Sequence, residues 1–414
     1  MTCSTDESAA AAAALLRRPE TIRARCHALL TLAEADRLPH FALRAERLDA
    51  AADYVADTIR ARHPDLRIPY HARWRHFAAG GRDRWRELAA TLGGLPAADI
   101  ARLRTELCVV SVLLDAGAGA AWSYTEPVTG AVLCRSEGLA VASLHAFRAG
   151  LFSADPTRHP LRADADGLAA IDAESLGRAF QAGPGNPLQG LEGRAALMRN
   201  LGAALRARPD LFGTDPPRIG GLHDRLIEQE TADGLPAPAI LAALLGGFGA
   251  IWPGRLRLGG VGLGDVWPHR LAAPGEPASG LVPFHKLSQW LAYSLVEVFE
   301  DAGLRVTCLD ELTGLPEYRN GGLLLDLGVL SLRDPALAAA PLPVKHEAVV
   351  EWRALTVALL DRLADRVRVR LQRPDLPLAR ILEGGTWAAG RRVAAELRPD
   401  GGPPLRIASD GTVF

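Results

Sequence analysis

Lys286 is one of two lysines, with Lys345, among the 47 basic residues of a 414-residue chain. It sits where a proline-led segment, Leu281-Val-Pro-Phe-His-Lys-Leu-Ser-Gln-Trp290, turns into a helix. A lysine in the first turn of a helix can hold an anionic group beside the positive end of the helix dipole. His285 and Gln289 lie in the same two turns and can bind a ligand with it. A second segment, Leu309-Asp-Glu-Leu-Thr-Gly-Leu-Pro-Glu-Tyr-Arg-Asn-Gly-Gly322, reads as an apolar helix end, a turn, and a new element opening at Glu317. Such a turn can point Glu317 and Arg319 into a cleft, while Gly321 and Gly322 let backbone approach a ligand closely. The competing reading is a helix-turn-helix connection with surface Glu and Arg.

Two further segments are weaker candidates. Asp115 to Trp122 is a Gly-rich break after an apolar helix, and Ser136-Glu137-Gly138 precedes a helix. Asp115 and Glu137 are candidate ligand contacts there, although Ser136 with Glu137 also reads as a helix cap. In Ile381-Leu-Glu-Gly-Gly-Thr-Trp-Ala-Ala-Gly-Arg-Arg392, Gly384 and Gly385 stand inside a helical pattern where glycine is costly, and close helix packing is the expected cause. The basic-aromatic run His71 to Phe77 and Arg84-Trp85 are read as surface or lobe-interface structure.

The elements that must position these residues are mostly helical. Helical spacing of apolar residues predicts helices over 42–61, 100–114, 137–151, 165–181, 188–208, 236–248, 285–302, 347–371 and 378–397. The stretch 309–330 reads as a Gly-rich turn between helices. Small hairpins are expected at 124–133 and 255–267, and an Asp-Gly hairpin at 406–414. Residues 1–18 read as a loosely held start, 19–235 as an N-terminal helical lobe and 236–414 as a C-terminal lobe of one compact unit.

Composition narrows the function classes. With 47 basic and 48 acidic residues the net charge is −1, which suggests no polyanion-binding footprint, so a nucleic-acid or anionic-membrane role would need a local patch that the totals do not reveal. No apolar run is long enough to span a bilayer, and no leader segment is evident, so a cytoplasmic protein is expected. The five cysteines are scattered without a CxxC pair, which disfavours disulfides and a zinc site. No dinucleotide, P-loop, zincin or GxSxG motif occurs. The charge balance points to a small-molecule substrate or a protein partner, with no metal or cofactor expected.

The segments RLPHF (37–41), LDAAADYV (48–55), PDLRIPYHARWRHF (64–77), VSVLLDAGAGAAWSY (110–124), SEGLAVAS (136–143), NPLQGLEGR (186–194), GLVPFHKLSQWL (280–291), LTGLPEYRNGGLLLDLGVL (312–330) and LEGGTWAAGRR (382–392) resemble the uracil catabolism protein 4 family. That resemblance covers nearly the whole chain and implies a place in a uracil-degradation route with a ribosylurea-type intermediate. FHKLSQ (284–289), LTGLPEYR (312–319), LDLGVL (325–330), the EWR of 351–353 and a short C-terminal strand are similar, more faintly, to the queuosine-5′-phosphate N-glycosidase family. This second resemblance implies a mainly α, helical DNA-glycosylase-like (helix-hairpin-helix) architecture with small peripheral β-hairpins. Lys286 then corresponds to the lysine of an FYKRAQ-like segment and Glu317 to the acid of an ADYR-like one. The chain departs from those patterns with His285 for tyrosine, Leu287 for arginine and Glu for Asp at 317.

What the resemblance implies is cleavage of an N-ribosyl bond, in a ribosylurea or its 5′-phosphate, to urea and ribose (phosphate). A fixed carboxylate stabilises the oxocarbenium-like sugar and positions or deprotonates water, the role implied for Glu317. Lys286, with Arg319, would hold a 5′-phosphate or assist the leaving group, and Tyr318 or Gln289 would orient the ribose. The alternatives are a ureide or amide hydrolase and a non-catalytic partner of the ring-opening cyclohydrolase. Contact with pathway enzymes is compatible with each of these. A DNA repair glycosylase is disfavoured by the charge balance.

Overall fold

The computed structural model describes residues 3–408, with side chains from residue 8 onward. Helices of eight or more residues are labelled α1 (Cys3–Leu16), α2 (Pro19–Glu34), α3 (Leu48–Arg62), α4 (Ala97–Leu113), α5 (Arg135–Arg148), α6 (Leu191–Ala207), α7 (Ala237–Phe248), α8 (Lys286–Asp301), α9 (Tyr318–Asp326), α10 (Glu347–Leu371) and α11 (Trp387–Leu397). Strands of two or three residues form separate two-stranded pairs among the described residues. The fold is mainly α, as the periodicity predicts.

Two compact units interleave along the sequence. The first takes residues up to 71, 256–289 and 308–408; the second takes 72–255 and 290–307. An expected division near 235 is therefore not how the chain is apportioned. The reason is non-local pairing: in the first unit Phe41–Leu43 runs antiparallel to Leu330–Leu332. Helix α8 begins in the first unit and continues in the second.

In the first unit, α10 carries Val349, Val350, Trp352, Leu355, Val357, Leu359 and Leu360, all buried. Burial around the whole circumference marks it as the core helix. Against it lie α2 and α3. Helix α2 starts with Pro19, whose fixed φ suits a first helical position. It presents Ile22, Cys26, Leu29, Leu30 and Ala33 as one buried stripe, each large side chain contributing roughly 1.5–3 kcal/mol. Helix α1 is ordered where a loosely held start was expected. Its Ala13 and Leu16 pack with Leu263 and Val266 in a small apolar cluster.

Helix α9 is fixed by glycines. A Cβ at Gly390 of α11 would stand 2.3 Å from the Arg319 carbonyl oxygen, and one at Gly321 would stand 2.6 Å from the Trp352 ring. The Trp352 indole N–H donates to the Gly321 carbonyl at 3.0 Å. Gly321 thus serves helix packing and not the ligand approach that its position suggested, and a Cβ at Gly322 would meet Pro404 at 3.1 Å. The expected helix over 378–397 is interrupted by a π-helical turn, Leu382–Thr386. Gly384 and Gly385 within it have no room for a Cβ against Ile68, Ile59 and Val55, so close packing is indeed their cause.

In the second unit the apolar run Cys108 to Leu114 is buried, as its pattern predicts. Arg194 caps that end of α4, donating to the Leu114 carbonyl at 3.0 Å and the Ala116 carbonyl at 2.5 Å. The helix predicted over 165–181 is two short ones, because Asp172 and Ser175 form a capping box that starts the second. Hairpins occur at 124–133 and 257–262. Of the predicted 406–414 hairpin, Ile407–Ala408 pairs in parallel with Leu342–Pro343, and the remainder lies outside the described residues. No helix among the described residues is long and apolar enough to cross a membrane.

Candidate active site

Glu317 is the N-cap of α9. Its Oε2 accepts the Arg319 N–H at 2.7 Å and its Oε1 the Asn320 N–H at 2.6 Å. Ser, Thr, Asp and Asn are the usual side chains for this task, so a glutamate here is uncommon. Each oxygen uses one acceptor site on the helix and keeps another for a second partner. The residue is 8% exposed. Burial pushes its carboxyl above the ordinary range, while the two N–H bonds and the charges of Lys286 and His71 pull the other way.

Lys286 is half-buried and opens α8, as its sequence context suggests. Its charge acts on Glu317, so these two candidates belong to one electrostatic group. The Lys286 backbone N–H donates to Asp265 Oδ2 at 3.0 Å. Asp265 also accepts the Trp267 indole N–H at 2.6 Å and a bidentate pair from Arg353, both bonds 2.8 Å. Burial alone would raise the Asp265 carboxyl, but the Arg353 guanidinium holds it well below the usual carboxylate range. That guanidinium lies 4.1 Å from the Phe284 ring. The start of α8 is thereby tied to α10 through a buried ion pair.

His71 and Glu383 complete the group. His71 Nδ1 lies 2.7 Å from Glu383 Oε2, and both residues are buried. The His71 backbone N–H donates to the Ala379 carbonyl at 2.9 Å, and its ring stands 5.9 Å from that of Trp387. Glu383 comes from the π-helical turn, an element often found at functional sites. Sequence reasoning missed both residues and Asp265. The Gly-Gly pair beside Glu383 was the available signal, and the EWR segment pointed to Arg353.

The other candidates have structural partners. His285 stands at φ +47, and its Nε2 donates to the Leu16 carbonyl at 2.9 Å. Burial lowers its pKa, while the bond to the Leu16 carbonyl and the Asp265 charge pull the other way. Gln289 is fully buried and donates to Thr313 Oγ1 at 2.8 Å, bracing the turn that leads to Glu317. Arg319 donates to the Gly401 carbonyl at 2.8 Å and lies 4.9 Å from the Tyr318 ring, so it fastens the C-terminal segment. Tyr318, the first residue of α9, is half-buried.

Asp115 and Glu137 belong to the second unit. Asp115 pairs with the fully buried Arg73 at 2.8 Å, and the charge of Glu137 acts on the same guanidinium. Helix α5 starts at Arg135 with Cys134 as its N-cap, so neither Ser136 nor Glu137 caps it. Among the described residues no group of three or more His, Cys, Asp or Glu side chains is gathered as metal ligands would be.

Residues 15–414 match the family described as Protein of unknown function (DUF1688). The chain is similar to Protein urg3 of Schizosaccharomyces pombe, 39% identical over 407 residues that cover 95% of this chain and 97% of that protein. It is also similar to Uracil catabolism protein 4 of Lachancea kluyveri, again 39% identical over 407 residues, covering 91% of this chain and 92% of that protein.

Proposed function

The chain belongs to the DUF1688 family, and on that premise we propose that it acts in uracil catabolism as an N-ribosyl hydrolase. Its substrate in this proposal is a ribosylurea, as such or as the 5′-phosphate, and its products are urea and ribose or ribose 5-phosphate. The name of the Lachancea kluyveri relative, Uracil catabolism protein 4, supports the pathway. The chemistry is carried by one observation: Glu317 is a buried carboxylate held rigid by two backbone N–H groups, with the Lys286 and His71 charges acting on it. Such a group is preorganised against the positive charge that grows on C1′ as the N-ribosyl bond breaks, and it can take a proton from the attacking water.

Lys286, at the positive end of α8, draws the 5′-phosphate. Tyr318 borders the sugar. The turn Leu312–Pro316 and α9 take the place of a helix-hairpin-helix in a helical DNA-glycosylase-like architecture, and a cytoplasmic setting belongs to the same proposal. Arg319 and Gln289 brace this arrangement through Gly401 and Thr313.

The test is release of urea and reducing sugar from ribosylurea and its 5′-phosphate by wild type and Glu317→Gln. Equal release of both products by wild type, lowered about 10²–10³-fold in the variant, supports the proposal. Binding without release moves the function to a non-catalytic partner, and ammonia in place of urea moves it to a ureide hydrolase. Lys286→Met should raise KM for the phosphate and leave KM for ribosylurea nearly unchanged.

A further inference from the structure

Cleavage of an N-ribosyl bond leaves one requirement that Glu317 cannot meet. The departing urea nitrogen is a poor leaving group as an anion and takes a proton as the C1′–N bond breaks. Glu317 receives a proton from water in the same step, so the donor is another group. We propose that His71 is that general acid, with Glu383 as the residue that positions it. This assignment rests on the hydrolase reading of the same site.

Three observations carry it. First, Glu383 Oε2 is 2.7 Å from His71 Nδ1, so the carboxylate fixes Nδ1–H as a donor and places the exchangeable proton on Nε2. Second, the charge of His71 acts on the Glu317 carboxylate, so acid and base belong to one electrostatic group. Third, the pair is assembled from residues far apart in the chain by a feature that costs stability. Glu383 is offered by a π-helical turn whose two glycines, each unfavourable in a helix, are packed against Ile68, Ile59 and Val55. The His71 backbone is pinned at the same place through Ala379. A histidine needed only to fill space would not require a buried carboxylate on a π turn.

The step balances as follows. A water oxygen bonds to C1′ while the C1′–N bond breaks; the water proton passes to Glu317, and the Nε2 proton of the His71 imidazolium passes to the urea nitrogen. Neutral His71 keeps its Nδ1–H on Glu383. Transfer of the proton from Glu317 to His71, directly or through solvent, restores the starting state.

The test compares ribosylurea 5′-phosphate with 4-nitrophenyl riboside 5′-phosphate, whose leaving group departs without a proton. Wild type, His71→Gln, Glu383→Gln and Glu317→Gln are assayed as full chains. His71→Gln should lower kcat on ribosylurea 5′-phosphate about 10²–10³-fold and kcat on the nitrophenyl substrate by no more than about threefold. Glu383→Gln should show the same split with a smaller loss, and Glu317→Gln should lose both activities. Equal loss on the two substrates in His71→Gln, or no loss on either, overturns the assignment and leaves the hydrolase reading standing. Failure of wild type on both substrates overturns the two together. Should wild type cleave ribosylurea 5′-phosphate and refuse the nitrophenyl substrate, imidazole added to His71→Gly decides: recovery of turnover supports the general acid, and its absence overturns it.

Discussion

Glu317 has two jobs in this structure, helix cap and proposed catalytic carboxylate, and Glu317→Asp separates them. Aspartate is among the preferred N-cap residues, so the N–H groups of Arg319 and Asn320 keep an acceptor and stability should change by no more than about 0.5 kcal/mol. The side chain is nevertheless shorter by one methylene, and the face of the carboxylate turned away from the helix recedes by up to about 1.5 Å. A misplacement of about 1 Å at a reacting centre costs about 10²-fold, or about 2.7 kcal/mol of barrier. The expected outcome is a melting temperature close to wild type with kcat for urea release lowered about a hundredfold. Glu317→Ala serves as the reference, because it loses both cap bonds and should cost about 0.5–2 kcal/mol of stability as well as the activity. Unchanged turnover in Glu317→Asp would refute the catalytic role and leave the residue a cap. A parallel fall in stability and turnover would refute the separation.

Three other predictions follow from buried charges. Because burial raises the Glu317 carboxyl and Lys286 lowers it, kcat/KM for ribosylurea should fall at acid pH from above the ordinary carboxylate range, and Lys286→Met should move that fall to higher pH; a limb that does not move would show the two are uncoupled. Arg353→Met leaves Asp265 buried without its counter-charge and should cost about 3–5 kcal/mol in denaturant melts, part of which Asp265→Asn in the same chain restores. In the second unit, burial raises the Glu297 carboxyl to about 7 despite Arg75 at 2.6 Å. A carboxyl raised on folding contributes stability that is complete below its unfolded pKa and lost as pH climbs through 7, on the order of 3 kcal/mol between pH 4 and pH 9. Glu297→Gln should flatten that loss in melting temperatures measured across the range.

Legibility followed the range of the interactions. Helix α10 could be read to the residue, since its apolar spacing is continuous over Glu347–Leu371. Lys286 stood out because lysine is rare here and a proline announces the helix behind it. His71 did not, because its partner Glu383 is 312 positions away and its local neighbours look like a basic-aromatic surface patch. Asp265 lies between two short hairpin strands, and nothing nearby in sequence betrays that Arg353 will neutralise it. The interleaving of the units has the same origin: strand pairs of two or three residues carry too little pattern to announce a partner so distant. A π turn leaves no periodic mark of its own, and only its glycines were visible.

The ordered first helix bears on how this protein should be prepared. Someone trimming what looks like a dispensable leader would cut before residue 19 and expect a cleaner sample. That cut removes the Leu16 carbonyl that holds the left-handed His285, and it strips Ala13 and Leu16 from Leu263 and Val266. Those two residues flank the loop of Asp265, and His285 directly precedes Lys286. A shortened protein would lose both the packing of that cluster and the brace beside Lys286, so an inactive truncated sample would say nothing about the proposed activity of the full chain.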